Sequence, residues 1–244
     1  MKKKIEISNK FGIIDIKGDN QESVLYLNSL PIQYTWFAEI GSTWRYHIAK
    51  GVDERSWAES TLVSEILKNG IATTTEFDRL VDYYSQFLKT GEYEFGTYDL
   101  HEHYDLIHLP EGDNFQSFDY YGGCPDIIPT QCRYDDLIID EYKQAIKQGL
   151  RPTMVIFHVA KSHLLFILDG HHKFIAYGQL KMKPRALIIS KLNSSTMSIE
   201  QSLKMASKLE CNKESYLNWI KNEKENKYFD LQLDLEKDYE YINE

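Results

Sequence analysis

The 244-residue sequence predicts an α+β fold, on three observations. Short apolar stretches divided by turn residues fill the first 50 positions, as in an antiparallel sheet. Two segments with apolar residues at helical spacing come next. Between 124 and 192, strand-like runs then alternate with amphipathic helices.

In the first region, Ile5 and Ile7, then Ile13, Ile14 and Ile16, then Val24, Tyr26 and Leu27 form three strands, parted by Asn9-Lys10 and Gly18-Asp19-Asn20. Residues 31 to 50 read as a hairpin turning at Gly41-Ser42. Tyr34, Trp36 and Ala38 alternate on one arm, and Trp44, Tyr46 and Ile48 on the other. Such an aromatic face stacks on bases or packs on a helix, and core packing is the reading adopted. Ser56 and Glu59 make a capping box ahead of a helix through Leu62, Val63, Ile66 and Leu67 that ends at Asn69-Gly70. Thr75 opens a second helix, with Phe77, Leu80, Val81, Tyr84, Phe87 and Leu88 on one face. Residues 91 to 123 read as loop-rich, and the domain boundary is placed there.

In that stretch Asp99, His101, His103 and Asp105 fall at every second position, with His108 nearby. On an extended chain they share a face, but their spacing matches no metal signature, so no metal site is assigned. His158 and His163 flank the turn Ala160-Lys161-Ser162 and are expected at the surface. Ser198 and Gln201 cap a helix through Leu203, Ala206 and Leu209, and a second helix surrounds Tyr216 to Ile220. Phe229, Leu231, Leu233 and Leu235 alternate with polar residues, as in a half-buried strand or a segment that docks on a partner.

The formal net charge of -9 argues against a nonspecific duplex binder with a broad basic face. The last two helices carry few basic residues and the terminus is acidic, so nucleic acid is not an expected partner. Charge is unevenly spread, with nine Lys or Arg against Glu141 and Asp169 between 141 and 191, and twelve acids with one Arg between 92 and 140. The two halves either neutralise each other or leave the basic one for a phosphate-rich ligand. Cys124, Cys132 and Cys211 form no C-x-x-C pair, which indicates neither a disulfide framework nor a zinc knuckle. The sequence has no apolar run long enough for a membrane span and no leader-like start, so a soluble cytoplasmic protein is expected.

Chemistry concentrates where the apolar run Leu164 to Leu168 stops at Asp169-Gly170-His171-His172-Lys173. The run predicts a buried strand. Asp169 is expected to cap a helix carrying Phe174, Ala176, Tyr177 and Leu180, which Pro184 ends before a strand from Ala186 to Ile189. Cations in the first turn of a helix oppose its dipole by roughly 0.3 to 1 kcal/mol each. An anion held among Gly170, His171, His172 and Lys173 would offset that repulsion.

The segment resembles the ParB/sulfiredoxin-like superfamily, and its box is most similar to the Asp-Gly-His-His-Arg box of the free serine kinases. Asp126 to Pro129 resembles the entry strand of that core, Asp136 to Gln148 its first helix, and Gly149-Leu150-Arg151-Pro152 with Met154 to Val159 the loop and strand before the box. The resemblance implies a ParB-like core at 124–192, an N-terminal β-rich and helical extension at 1–123, and C-terminal helices with an acidic tail at 193–244. It implies nucleotide binding (ATP, ADP or CTP, with Mg) and phosphoryl transfer to a small hydroxyl substrate. Gly170, His171, His172 and Lys173 would hold the nucleotide, with Asp126, Asp169 and His172 as catalytic residues and Asp126 as base. His171 stands where sulfiredoxin needs cysteine, which removes that activity, and Lys173 replaces the arginine fork. Asp126 stands in place of an upstream glutamate. The other expectation is a non-catalytic interaction, immunity or regulatory protein on the same scaffold, with a protein partner.

Overall fold

In a computed structural model, the described residues are 1–8, 11–19, 22–40, 43–50, 61–100, 115–121, 127–131, 133–162, 164–194, 196–209, 217–218 and 221, with the main chain alone at 36–40, 43–50 and 115–121. The chain is α+β. The first strands are β1 (Lys2–Ile7), β2 (Ile14–Gly18), β3 (Glu22–Leu27), β4 (Leu30–Ile40) and β5 (Thr43–Lys50). Helices α1 (Thr61–Asn69) and α2 (Thr74–Ser85) follow, then strands β6 (Gly91–Asp99), β7 (Phe115–Tyr121) and β8 (Ile127–Ile128). The remaining order is α3 (Asp136–Lys147), β9 (Thr153–Val159), β10 (Leu165–Asp169), α4 (His171–Leu180), β11 (Arg185–Lys191) and α5 (Ile199–Lys208).

Two sheets result, one of order β1-β6-β11-β9-β10-β8 and one of order β2-β3-β4-β5-β7. Strands β4 and β5 pair antiparallel up to Ile40 and Thr43, as the sequence predicts for this hairpin. Between 127 and 191 the strands and helices fall within a few residues of their expected places.

The six-stranded sheet is covered on both faces, so its central strands are apolar along their whole length. Odd-numbered Val155, Phe157 and Val159 of β9 and Leu187 and Ile189 of β11 share a core with α1, α2 and the inner face of the second sheet. Even-numbered Met154, Ile156, Ala186 and Ile188 pack with Phe174 of α4. Helices α3 and α4 meet through Ile139, Ile146, Ala176 and Tyr177. On the second sheet, Val24 and Tyr34 pack against Ala206 and Leu209 around α5, which begins with the expected Ser198–Gln201 box.

Several expectations change. The stretch from 91 contains the nine-residue β6, a central strand between β1 and β11. Its Tyr93 and Phe95 are buried, while Glu92 and Glu94 point away from that core. Because β1 and β6 join the same sheet as β8 to β11, that sheet takes strands from both sides of residue 123. Helix α2 is capped by Thr73 rather than opened by Thr75: the Thr73 hydroxyl accepts from the Glu76 N–H, and the Glu76 carboxylate accepts from the Ala72 and Thr73 N–H groups. A glutamate three positions on selects Thr73 among three consecutive threonines.

His158 is a further correction, since it is completely buried on β9 instead of exposed beside a turn. Its position on a central strand covered on both sides decides this. The Ser56–Glu59 box, His101, His103, Asp105, His108, His163, the three cysteines and residues 229–235 lie outside the described residues.

Candidate functional site

Strand β10 delivers Asp169 to one edge of the six-stranded sheet, where the chain must turn sharply to lay α4 back across it. Gly170 makes that turn at φ 100° and ψ 27°, a left-handed conformation that glycine adopts without a Cβ penalty. Space demands glycine as well. A β-carbon at Gly170 would sit 2.5 Å from the Cβ of Met154 and 2.9 Å from its Cα. Gly170→Ala is therefore expected to destabilise the protein by about 2 to 3 kcal/mol, from backbone strain plus overpacking, measured as a shift in denaturation midpoint.

Asp169 does not cap α4. The N-cap is Gly170, which has no side chain to accept from the first-turn amides. The Asp169 Oδ2 atom instead receives the Lys173 ammonium at 2.6 Å, one helical turn on. Lys173 is only 5 % exposed, donates also to the Thr153 carbonyl at 3.0 Å, and lies 5.8 Å from the centre of the Tyr142 ring. Lys173 thus points under the helix, and its charge is neutralised within the protein. The Asp169 side chain is 32 % exposed, and its Oδ1 has no partner among the described residues.

Neither histidine serves as a cation. The buried His171 accepts the Thr130 backbone N–H at its Nε2 atom, 3.0 Å away. The Thr130 hydroxyl in turn donates to the Ile167 carbonyl. His172 accepts the Asp135 backbone N–H at Nε2, also at 3.0 Å. A backbone amide can only donate, so each Nε2 must carry a lone pair and each ring is neutral with its proton on Nδ1. Burial lowers the pKa of His172, although the Asp135 and Asp169 charges pull the other way.

The expected trio of basic side chains around an anion is thereby corrected. One cation is present, and it is spent on Asp169. The positive potential left in the turn is that of the main-chain N–H groups and the α4 dipole. Asp126, the expected base, lies outside the described residues.

Sequence reasoning missed the loop between β8 and α3. Thr130 and Asp135 receive the two histidines, and the Tyr134 ring lies between them, 6.4 Å from His171 and 6.2 Å from His172. Asp135 also caps α3 by accepting the Leu137 N–H at 2.9 Å. That cap was the one local signal available, an acid just before a helical pattern. At the same sheet edge Asp99 bridges Arg151 at 2.9 Å and Arg185 at 3.0 Å. Asp99 is therefore an ion-pair partner, and no group of three metal-ligating side chains occurs among the described residues. No helix among them is long and apolar enough to cross a membrane.

The turn offers a phosphate or carboxylate main-chain donors at a helix start, one half-exposed carboxylate beside them, and a loop held over them by two imidazoles. No family model, curated protein or solved structure matches the chain.

Proposed function

We propose that this protein binds a nucleotide, or another ligand bearing a phosphate, at the N-terminus of α4 on a ParB-like scaffold. The observation that carries the reading is a helix start with no side-chain cap, placed behind a left-handed glycine at a strand-to-helix turn. The order β8, α3, β9, β10, α4, β11 agrees with the element order that the resemblance implies and supports it.

In this reading the N–H groups of the first turn meet the phosphate oxygens, and Gly170 lets the ligand approach the backbone. Mg fits the site in a limited way. Magnesium commonly takes one or two carboxylates plus ligand phosphates, and Asp169 Oδ1 is one such oxygen. The ion would neutralise phosphate charge near Asp169. Binding is better supported than phosphoryl transfer to a small hydroxyl substrate, because Lys173, His171 and His172 are already engaged inside the protein. That same engagement favours a second reading, a non-catalytic interaction, immunity or regulatory protein with a protein partner.

Calorimetric titration of ATP, ADP and CTP with magnesium tests the proposal. At least one should bind with a dissociation constant below about 1 mM. His172→Glu, which places a resident carboxylate at the positive end of α4, should weaken binding about tenfold. Absence of binding by all three up to millimolar concentration overturns the nucleotide reading. Formation of a phosphorylated product would restore the transferase.

A further inference from the structure

Ligand capture aside, the two histidines have a geometry with its own consequence. Consecutive residues of one helical turn, they accept backbone N–H groups from positions five apart, Thr130 and Asp135, and so grip both ends of the 130–135 loop. Side-chain attachments of this loop to the rest of the fold include the Thr130 hydroxyl on the Ile167 carbonyl. We propose that His171 and His172 form a latch in which the two neutral rings hold Thr130 and Asp135 on the first turn of α4, and protonation of His172 at Nε2 releases the Asp135 end.

The physical basis is donor and acceptor accounting. An imidazolium has two N–H donors and no acceptor, so a proton on Nε2 faces the backbone N–H head on and converts an attraction into a repulsion. The Thr130 N–H is buried against His171, whereas the Asp135 N–H lies at the surface and exchanges the ring for water as that end of the connection moves.

The groups facing His172 are the Asp135 carboxylate and Tyr134 from the loop and Asp169 from β10, the last already paired with Lys173 of α4. Arg133 and Asp136 are the other charged residues of the loop and the adjoining start of α3. Around His171 the neighbours include Thr130 and the Tyr134 ring. Burial opposes a proton on His172 more than the Asp135 and Asp169 carboxylates favour one, so uptake falls below the ordinary histidine value. His172 is the more accessible ring, so opening occurs at the Asp135 end. The latch does not depend on any ligand being bound.

The experiment is nuclear magnetic resonance of the full-length protein between pH 7.5 and 5. Imidazole nitrogen shifts should place the proton of both rings on Nδ1 at pH 7.5. Amide exchange at Asp135, corrected for its intrinsic pH dependence, should accelerate about five- to tenfold as His172 titrates. His172→Gln keeps an acceptor at the Nε2 position and cannot titrate, so Asp135 should stay protected across the range. An Nε2–H tautomer at pH 7.5, or Asp135 protection that is unchanged while His172 takes up its proton, overturns the proposal. Should the glutamine variant fail to fold, the wild-type shifts and exchange rates decide alone. Nucleotide titration at pH 7.5 and 5.5 is a separate readout, and its failure leaves the latch result standing.

Discussion

Lys191→Ala is expected to lower the unfolding free energy by about 3 to 5 kcal/mol, the usual cost of stranding one half of a buried ion pair. Lys191 closes β11 on the face that looks toward the second sheet, and its ammonium reaches Asp15 of β2. The two side chains are 9 % and 7 % exposed. Lys191 also donates to the Ile16 carbonyl at 3.1 Å, and Asp15 accepts its neighbour's N–H at 2.9 Å. The pair therefore links one sheet to the other beside the apolar core that contains Ile14, Ile16, Val159 and Ile189. Removing the lysine leaves a carboxylate there with no countercharge, and the sheets must part or admit water to solvate it. A buried ion pair owes little of its worth to net attraction, because desolvation offsets most of it. Lys191→Met combined with Asp15→Leu should consequently recover most of the loss. Denaturant midpoints of wild type, single and double variants test this. A single-variant loss below about 1 kcal/mol would mean that water already reaches the pair.

That ion pair marks the limit of what the sequence discloses. The partners are 176 residues apart, and Asp15 sits between two isoleucines where a local pattern suggests an ordinary outward-facing acid. Elements were legible wherever the cause was local. The apolar run before Asp169, the glycine that turns the chain, and the proline before β11 each act within a few residues, so β9, β10, α4 and β11 appear where expected. Strand β6 was hidden because Glu92 and Glu94 made it read as an acidic loop, although alternation with Tyr93 and Phe95 is the mark of a strand. At the candidate site, the residue types single out the turn, and their directions do not follow from them. Whether Lys173 faces a ligand or Asp169, and whether a histidine donates or accepts, is settled by Thr153, Thr130 and Asp135 on other elements.

Acid should destabilise this protein well before its carboxylates titrate, and His158 is the reason. The ring is fully buried on β9, with Nε2 2.7 Å from the Ser190 hydroxyl of the adjacent β11, and with no hydrogen-bond partner at Nδ1. Burial pushes its pKa down to about 4, against an opposing contribution from the Ser162 backbone. In the unfolded chain the same ring takes a proton near pH 6.5. Between those values the unfolded state holds more protons than the native state, so stability rises with pH across the window. The contribution is fully present above pH 6.5 and is lost as the pH falls through the folded value. Its total size is about 3 to 4 kcal/mol, from roughly 1.4 kcal/mol for each pH unit between the two values. His172, whose pKa is also lowered by burial, acts in the same direction, so the comparison is best made in a His172→Gln background. There, His158→Leu with Ser190→Ala removes the titrating ring and the hydroxyl it would otherwise strand. The unfolding free energy of that variant should fall much less between pH 7 and 4.5 than that of its parent. Parallel curves for the two proteins would show that His158 stays neutral in both states or takes up its proton without unfolding, and the assigned burial cost would be wrong.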